Sequence, residues 1–299
     1  MRLNLKHWQP VLGLLWLLIT CSSALGAVEA QDAEGRLVTL ETPAQRIIAL
    51  APHIVENLYS IGAQDSIAGA VQYSDYPESA TLIPRVGGVG SMSLEHIVIL
   101  QPDLIILWGS GTPPGLRSAI DRLGLPYFVD EIRSLNDLKD SFDALGTLTG
   151  YSTEATRVMT QLQSFVDPAS FDKASPHLNA SPAVFLQLWD QPLQSIGKDH
   201  LLNEVIERCG GRSITSDLAG LAPLVSMEQV LADNPELIIV ENQQQAQHWD
   251  NYPELQAMQS NNVAIINPDL LHRPTLRLLQ GMEIICARID ASRRAATAN

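Results

Sequence analysis

The chain has 299 residues, 45% of them hydrophobic and 17% charged. That length and balance exclude a disordered polymer and supply enough apolar side chains for two domains with cores of their own. With 33 acidic against 19 basic residues the formal charge is −14, which argues against nucleic acid as a partner.

Residues 1–26 begin with Arg2 and Lys6, run through VLGLLWLLI and end in Ser22, Ser23, Ala24 and Gly26, the layout of a secretory signal. The apolar run is too short for a good membrane span. Cleavage near Gly26 or Ala27 leaves about 17 basic residues against 33 acidic ones. Cys21, after Leu18-Ile19-Thr20, loosely resembles a lipoprotein cleavage box, but Thr20 fits poorly, and a cysteine in a discarded segment is the preferred reading. Cys209 and Cys286 remain, too far apart for a metal motif. In an oxidising compartment such a pair is most simply a disulfide, with two buried free thiols as the alternative.

From residue 45 the elements alternate. RIIAL at 46–50 reads as a strand, and ENLYSIGAQDSI at 56–67 as a helix ending at Gly62 and resuming at Ser-Ile. SLEHIVILQPDLIIL at 93–107 reads as a Ser-capped helix with Leu94, Ile97 and Val98 on its apolar face, stopped before Pro102 and followed by a buried strand. GSGTPPG at 109–115 has glycines after a strand, but its two prolines count against a phosphate-cradling helix start, and a ligand-facing loop is expected. YSTEATRVMTQLQSFV at 151–166 carries Ala155, Val158, Met159, Leu162, Phe165 and Val166 at helical spacing and reads as one long helix. PASFDKASPHLNASP at 168–182 is a loop into a second unit.

That unit repeats the first. PAVFLQL at 182–188 is its strand, NEVIERCGGRSI at 203–214 ends a helix at Gly210, and SMEQVLADNPELIIV at 226–240 restates 93–107 without gaps at an offset of 133 residues. The expected fold is α/β: two Rossmann-like lobes with central parallel sheets, joined by a single long helix. The expected boundaries are a signal at 1–26, an N-terminal lobe at 45–148, an interlobe helix at 151–167 and a C-terminal lobe at 180–292. A cleft between two such lobes is a preferred place for a small ligand.

No GxSxG, P-loop, HExxH or strand-to-helix GxGxxG occurs. An exported enzyme using Asp75, His53 or Glu56 as acid or base is the rival reading, without a nucleophile–base motif behind it. The repeat places Glu95 and Glu228 in the first turn of equivalent helices, where the helix dipole favours a carboxylate by roughly 0.3–1 kcal/mol. Both flank the apolar stripe and are expected to face solvent, one per lobe, a pair suited to a two-fold symmetric partner bearing cations.

RIIALAPHIVENLYSIG, YSDYP at 73–77, SLEHIVILQPDLIILW, FLQL followed by Gly197-Lys198, EVIERCGG, VSMEQVLADNPELIIV and the closing HRP and Cys286 resemble the periplasmic substrate-binding proteins of cobalamin and siderophore ABC importers, most of all the cobalamin-binding members, over about residues 45–290. The resemblance implies the helical-backbone fold of class III periplasmic binding proteins. It implies a monomer that holds a corrinoid as cargo, with no resident cofactor or metal, and delivers it to the membrane subunits of an importer. Glu95 and Glu228 match the docking glutamates, and Cys209 and Cys286 the positions of a disulfide.

Tyr73, Trp108 and Arg273 match ligand contacts. Aromatic walls of the cobalamin binders fall on Val89–Gly90, Ala222 and Leu188, and Trp189 beside Leu188 is the candidate replacement ring. Such losses leave haem, a siderophore or a cobalamin precursor as alternative ligands. His53 and His272 are candidates for an axial contact to a chelated metal. A site made by His53, His200 and His272, of the kind seen in zinc-binding relatives, does not have that family's sequence context.

Overall fold

A computed structural model describes residues 26–88, 91–166 and 181–298. The signal segment with Cys21, the Val89–Gly90 pair and most of the loop read at 168–182 lie outside the described residues.

The first sheet holds β3 (Ile47–Ala49), β4 (Ile67–Ala70), β5 (Leu104–Trp108) and β6 (Tyr127–Asp130), in the order β4-β3-β5-β6 and parallel throughout. Near-continuous apolar runs suit strands covered on both faces. Ile47, Leu104, Ile106 and Phe128 point to one face, Ile48, Ile105 and Val129 to the other, and all are buried. Helices α1 (Pro52–Ser60), α2 (Leu94–Ile99), α3 (Pro114–Leu123) and α4 (Leu135–Thr149) cover them. Within GSGTPPG a helix does begin, because Pro114 takes the first helical position of α3, where the missing N–H and fixed φ of proline carry no penalty.

Before this sheet, β1 (Val28–Gln31) and β2 (Leu37–Leu40) form an antiparallel hairpin. Its turn is held by Asp32 Oδ1, which accepts from the Glu34 and Arg36 backbone N–H groups, and by Gly35 at φ 80°.

The second sheet has the order β11-β10-β7-β8, with β7 (Ala183–Asp190), β8 (Leu193–Ser195), β10 (Leu237–Val240) and β11 (Val263–Ile265), and β9 (Arg212–Ser213) also paired to β7. It is parallel except for β8, which runs antiparallel to β7 because only Gln191 and Pro192 separate them, room for a hairpin and not for a crossover. Helices α6 (Leu201–Arg208), α7 (Met227–Asp233), α8 (Gln243–His248), α9 (Gln256–Gln259) and α10 (Leu278–Ala298) complete this half.

The repeated phrase folds the same way twice. Ser93 Oγ accepts from the His96 N–H, and Ser226 Oγ from the Gln229 N–H, each at 3.2 Å. Gln101 (φ 48°) and Asn234 (φ 44°), equivalent at the repeat offset, both turn left-handed before the proline that leads to β5 or β10. Ile97 and Val230 are buried at matching positions, whereas Val98 is exposed.

After α4, Gly150 (φ 81°) reverses the chain and α5 (Ser152–Val166) packs back along it. A Cβ on Gly146 would lie 2.5 Å from that of Ala155, so glycine sets the close approach of the two helices. Ala155, Val158 and Leu162 are buried there, and α5 is the route by which the chain leaves the first sheet for the second. One apolar cluster runs from Ile47 and Leu104 through Leu135 and Phe142 to Val184, Leu202 and Ile239, so the lobes share a core beneath their junction. A Cys209–Cys286 disulfide ties the end of α6 to α10. Among the described residues no helix is long and apolar enough to cross a membrane.

Candidate ligand site between the lobes

In parallel α/β sheets, loops at the carboxyl ends of the strands converge on one edge. The carboxyl edges of the two sheets face each other at a corner held by ion pairs. Arg273, beyond β11, donates from Nη1 to Glu56 Oε1 on α1 at 2.8 Å and to Asp75 Oδ1, beyond β4, at 2.9 Å. Its Nη2 lies 3.1 Å from Asp269 Oδ1. Arg277 Nη1 reaches Glu56 Oε1 at 3.3 Å, and Thr275 Oγ1 donates to Glu56 Oε2 at 3.2 Å.

Glu56 is only 2% exposed, a burial tolerated because both carboxylate oxygens are partnered. Burial works against the charge on Arg273, but the hydrogen bonds to Glu56 and Asp75, with Asp269 alongside, outweigh it and hold the guanidinium above its ordinary pKa. Elsewhere along the junction, Asn57 Nδ2 donates to the Pro274 carbonyl and the Leu135 N–H to Glu204 Oε2.

Aromatic rings stand open on this edge. Tyr73, after β4, is 73% exposed and holds φ 65°, a left-handed backbone uncommon for a bulky residue. Trp189, at the end of β7, is 57% exposed, with Nε1 donating to the Gln191 carbonyl. Trp108, at the end of β5, is 37% exposed and lies against Gly111: a Cβ there would be 1.8 Å from Trp108 Cε3. Three large rings left in water beyond strand ends of both sheets are candidates for ligand contact. Tyr76 stacks over Arg277, whose guanidinium carbon is 4.1 Å from the ring centre. Leu188 is half-buried and Ala222 exposed, and neither aliphatic side chain replaces an aromatic wall.

The histidines have separate partners. His53 is buried in the first turn of α1, its ring edge-on to Trp108 with centroids 5.9 Å apart and its Nε2 3.3 Å from Asp130 Oδ2. It therefore lies beneath the Trp108 wall. His272 Nε2 is 2.8 Å from Glu241 Oε1. His200 caps α6, Nδ1 accepting from the Leu202 N–H, and burial with His272 nearby pushes its pKa down to about 4. Among the described residues no group of three or more His, Cys, Asp or Glu is placed to hold a metal ion.

Glu95 and Glu228 both project into solvent from the first turns of α2 and α7. The Glu228 carboxyl is held below its ordinary range by its own backbone N–H and the Ser226 hydroxyl, so it stays ionised.

A separate groove of about 970 Å³ opens between the β1–β2 hairpin and α4, lined by Glu29, Glu34, Glu131, Asp137, Asp140 and Asp143 among others. Gly109 and Ser110, from the GSGTPPG segment read as a ligand-facing loop, line it, whereas Tyr73, Trp108, Trp189, Arg273, His53 and His272 do not. Its acidic wall repels anions, and Ser141 Oγ beside it, buried without a hydrogen-bond partner, is closed to solvent.

The sequence singles out the open rings and Arg273 as candidates but not Arg277 or Asp269, which join Arg273 at the corner, and offers Glu56 only as an acid or base of the rival enzyme. One signal for Glu56 was available: it sits inside HIVENL, whose six residues are all buried in α1.

The periplasmic binding protein family matches residues 47–270. The Vitamin B12-binding protein of Vibrio cholerae is 31% identical over 257 residues, spanning 84% of this chain and 91% of that protein. The Vitamin B12-binding protein of Vibrio parahaemolyticus is 28% identical over 263 residues, 86% of this chain and 94% of that one. The crystal structure of the periplasmic Vitamin B12 binding protein BtuF of Vibrio cholerae superposes with a TM-score of 0.76 at 31% identity, covering 84% of this chain and 98% of that one. A periplasmic haem-binding protein from Pseudomonas aeruginosa superposes at 0.73 with 19% identity, covering 84% and 94%, a likeness of fold alone.

Proposed function

Because the chain belongs to the periplasmic binding protein family, we propose that it is a receptor that captures a corrinoid between its lobes and delivers it, chemically unchanged, to an ABC importer. The observation that carries this reading is the set of exposed rings Tyr73, Trp108 and Trp189 at the facing strand ends. A flat macrocycle offers such rings a large apolar contact, and Trp108 against Gly111 and Trp189 through its Nε1 bond to the Gln191 carbonyl are held by local structure before the ligand arrives. The shared core beneath the junction limits the lobes to a modest closing motion.

Glu95 and Glu228 act as one handle per lobe for cationic side chains on the paired membrane subunits, outside the ligand site. The N-terminal segment directs export to the periplasm and is removed there. Similarity to proteins named as Vitamin B12-binding over more than four-fifths of the chain supports the corrinoid over haem, whose binders share only the fold.

Calorimetric titration of the mature protein with cyanocobalamin, dicyanocobinamide and haemin tests the reading. One-to-one binding of the corrinoids with the ligand recovered unaltered is expected. Binding of haemin alone would move the cargo elsewhere, and chemical turnover would return the enzyme reading.

A further inference from the structure

The corner that joins the lobes contains two guanidiniums and three carboxylates. Arg273 meets Glu56, Asp75 and Asp269, and Arg277 meets Glu56 and Asp269 while Tyr76 covers its face. Every donor direction that these contacts describe for Arg273 ends on an acid, and the five groups together carry one net negative charge. The three acids are not alike. Glu56 is buried and partnered on both oxygens, and Asp269 lies four residues from Arg273 on the same segment. Asp75 comes from the opposite lobe, two residues after the exposed Tyr73, and its side chain is more than half open to solvent. Its carboxylate is the most open of the three on Arg273 and follows within two residues the ring on which a ligand would rest.

We infer that Asp75 is a specificity-determining residue that sets the site against chelates bearing carboxylates at their edge and leaves it open to those edged with neutral amides. This inference rests on the corrinoid reading. An edge carboxylate entering here would have to displace Asp75 from Arg273 or stand next to it, and like charges placed together reject a ligand effectively even where opposite pairs add little affinity. A neutral amide meets no such repulsion.

The test compares wild type, Asp75→Asn and Asp75→Glu, each titrated with haemin, which carries two propionates, and with dicyanocobinamide, whose edge groups are amides. Asp75→Asn is expected to bind haemin about fivefold or more tighter than wild type, with the gain shrinking at high salt, while cobinamide affinity stays within about threefold. Asp75→Glu restores the charge and is expected to follow wild type for haemin, which separates charge from a lost interlobe contact. Haemin affinity unchanged in Asp75→Asn, or raised equally in Asp75→Glu, overturns the inference. Failure of wild type to bind cobinamide would refute the corrinoid reading instead, and the haemin comparison would still decide the role of Asp75.

Discussion

Arg273 Nη1 lies 2.8 Å from Glu56 Oε1 across the junction of the lobes, joining residues 217 positions apart in the chain. The pair fixes the loop after β11 against α1 and so sets how the two carboxyl edges face each other.

Removing one partner of a buried pair leaves the other charge uncompensated. Arg273→Ala leaves Glu56 with Arg277 and Thr275 only, and a loss of about 2–3 kcal/mol in urea unfolding is expected, less than for a fully orphaned charge. Adding Glu56→Ala should recover part of that loss, a coupling a double-mutant cycle reads directly. Equal stability of Arg273→Ala and wild type would show that the corner does not hold the lobes.

The Cys209–Cys286 bridge closes a segment of 77 residues. By the loop-closure argument its removal in a Cys209→Ser/Cys286→Ser variant costs about 4.5 kcal/mol, read as a fall in the urea midpoint with a steeper slope, because the unfolded chain without the bridge exposes more surface. A midpoint equal to that of wild type would place the stabilisation elsewhere.

Gly111 determines where the Trp108 ring lies. Gly111→Ala should push the indole aside and weaken cyanocobalamin binding about tenfold, with the thermal midpoint changing by only a few degrees. Unchanged affinity would remove Trp108 from the ligand wall.

His200 links stability to pH. Its folded pKa of about 4 lies below the ordinary 6.5. Between those values the unfolded chain takes up a proton that the folded chain refuses, so stability falls as pH drops through this window and is fully present above it. His200→Asn retains a capping acceptor for α6, and its loss of stability between pH 7 and pH 4.5 should be smaller than that of wild type in urea unfolding. An equal loss would assign the acid sensitivity to other groups.

Glu95 and Glu228 are predicted to serve transport alone. Reversing both charges to Lys should abolish uptake by cells while cyanocobalamin affinity stays within about twofold. A parallel fall in affinity would place the glutamates at the ligand.

The parts of this fold that follow local rules were legible in the sequence. The doubled phrase declared a Ser-capped helix, a stop before proline and a buried strand, and both copies fold that way. Local rules also explain what was misjudged: Pro114 begins α3 instead of preventing a helix, and Gln191-Pro192 turns β8 back along β7. The β1–β2 hairpin has a local signal in DAEGRLVTL, a glycine turn followed by alternation. The interlobe corner had none, because ion pairs between residues some two hundred positions apart follow from how the lobes pack and leave no periodicity.

A crystal structure of the mature protein grown with cyanocobalamin decides directly whether a corrinoid is held between the lobes. The corrin is expected between the lobes, in contact with Tyr73, Trp108 and Trp189. A corrinoid seated away from those rings, or an empty junction in crystals grown with excess ligand, would contradict it.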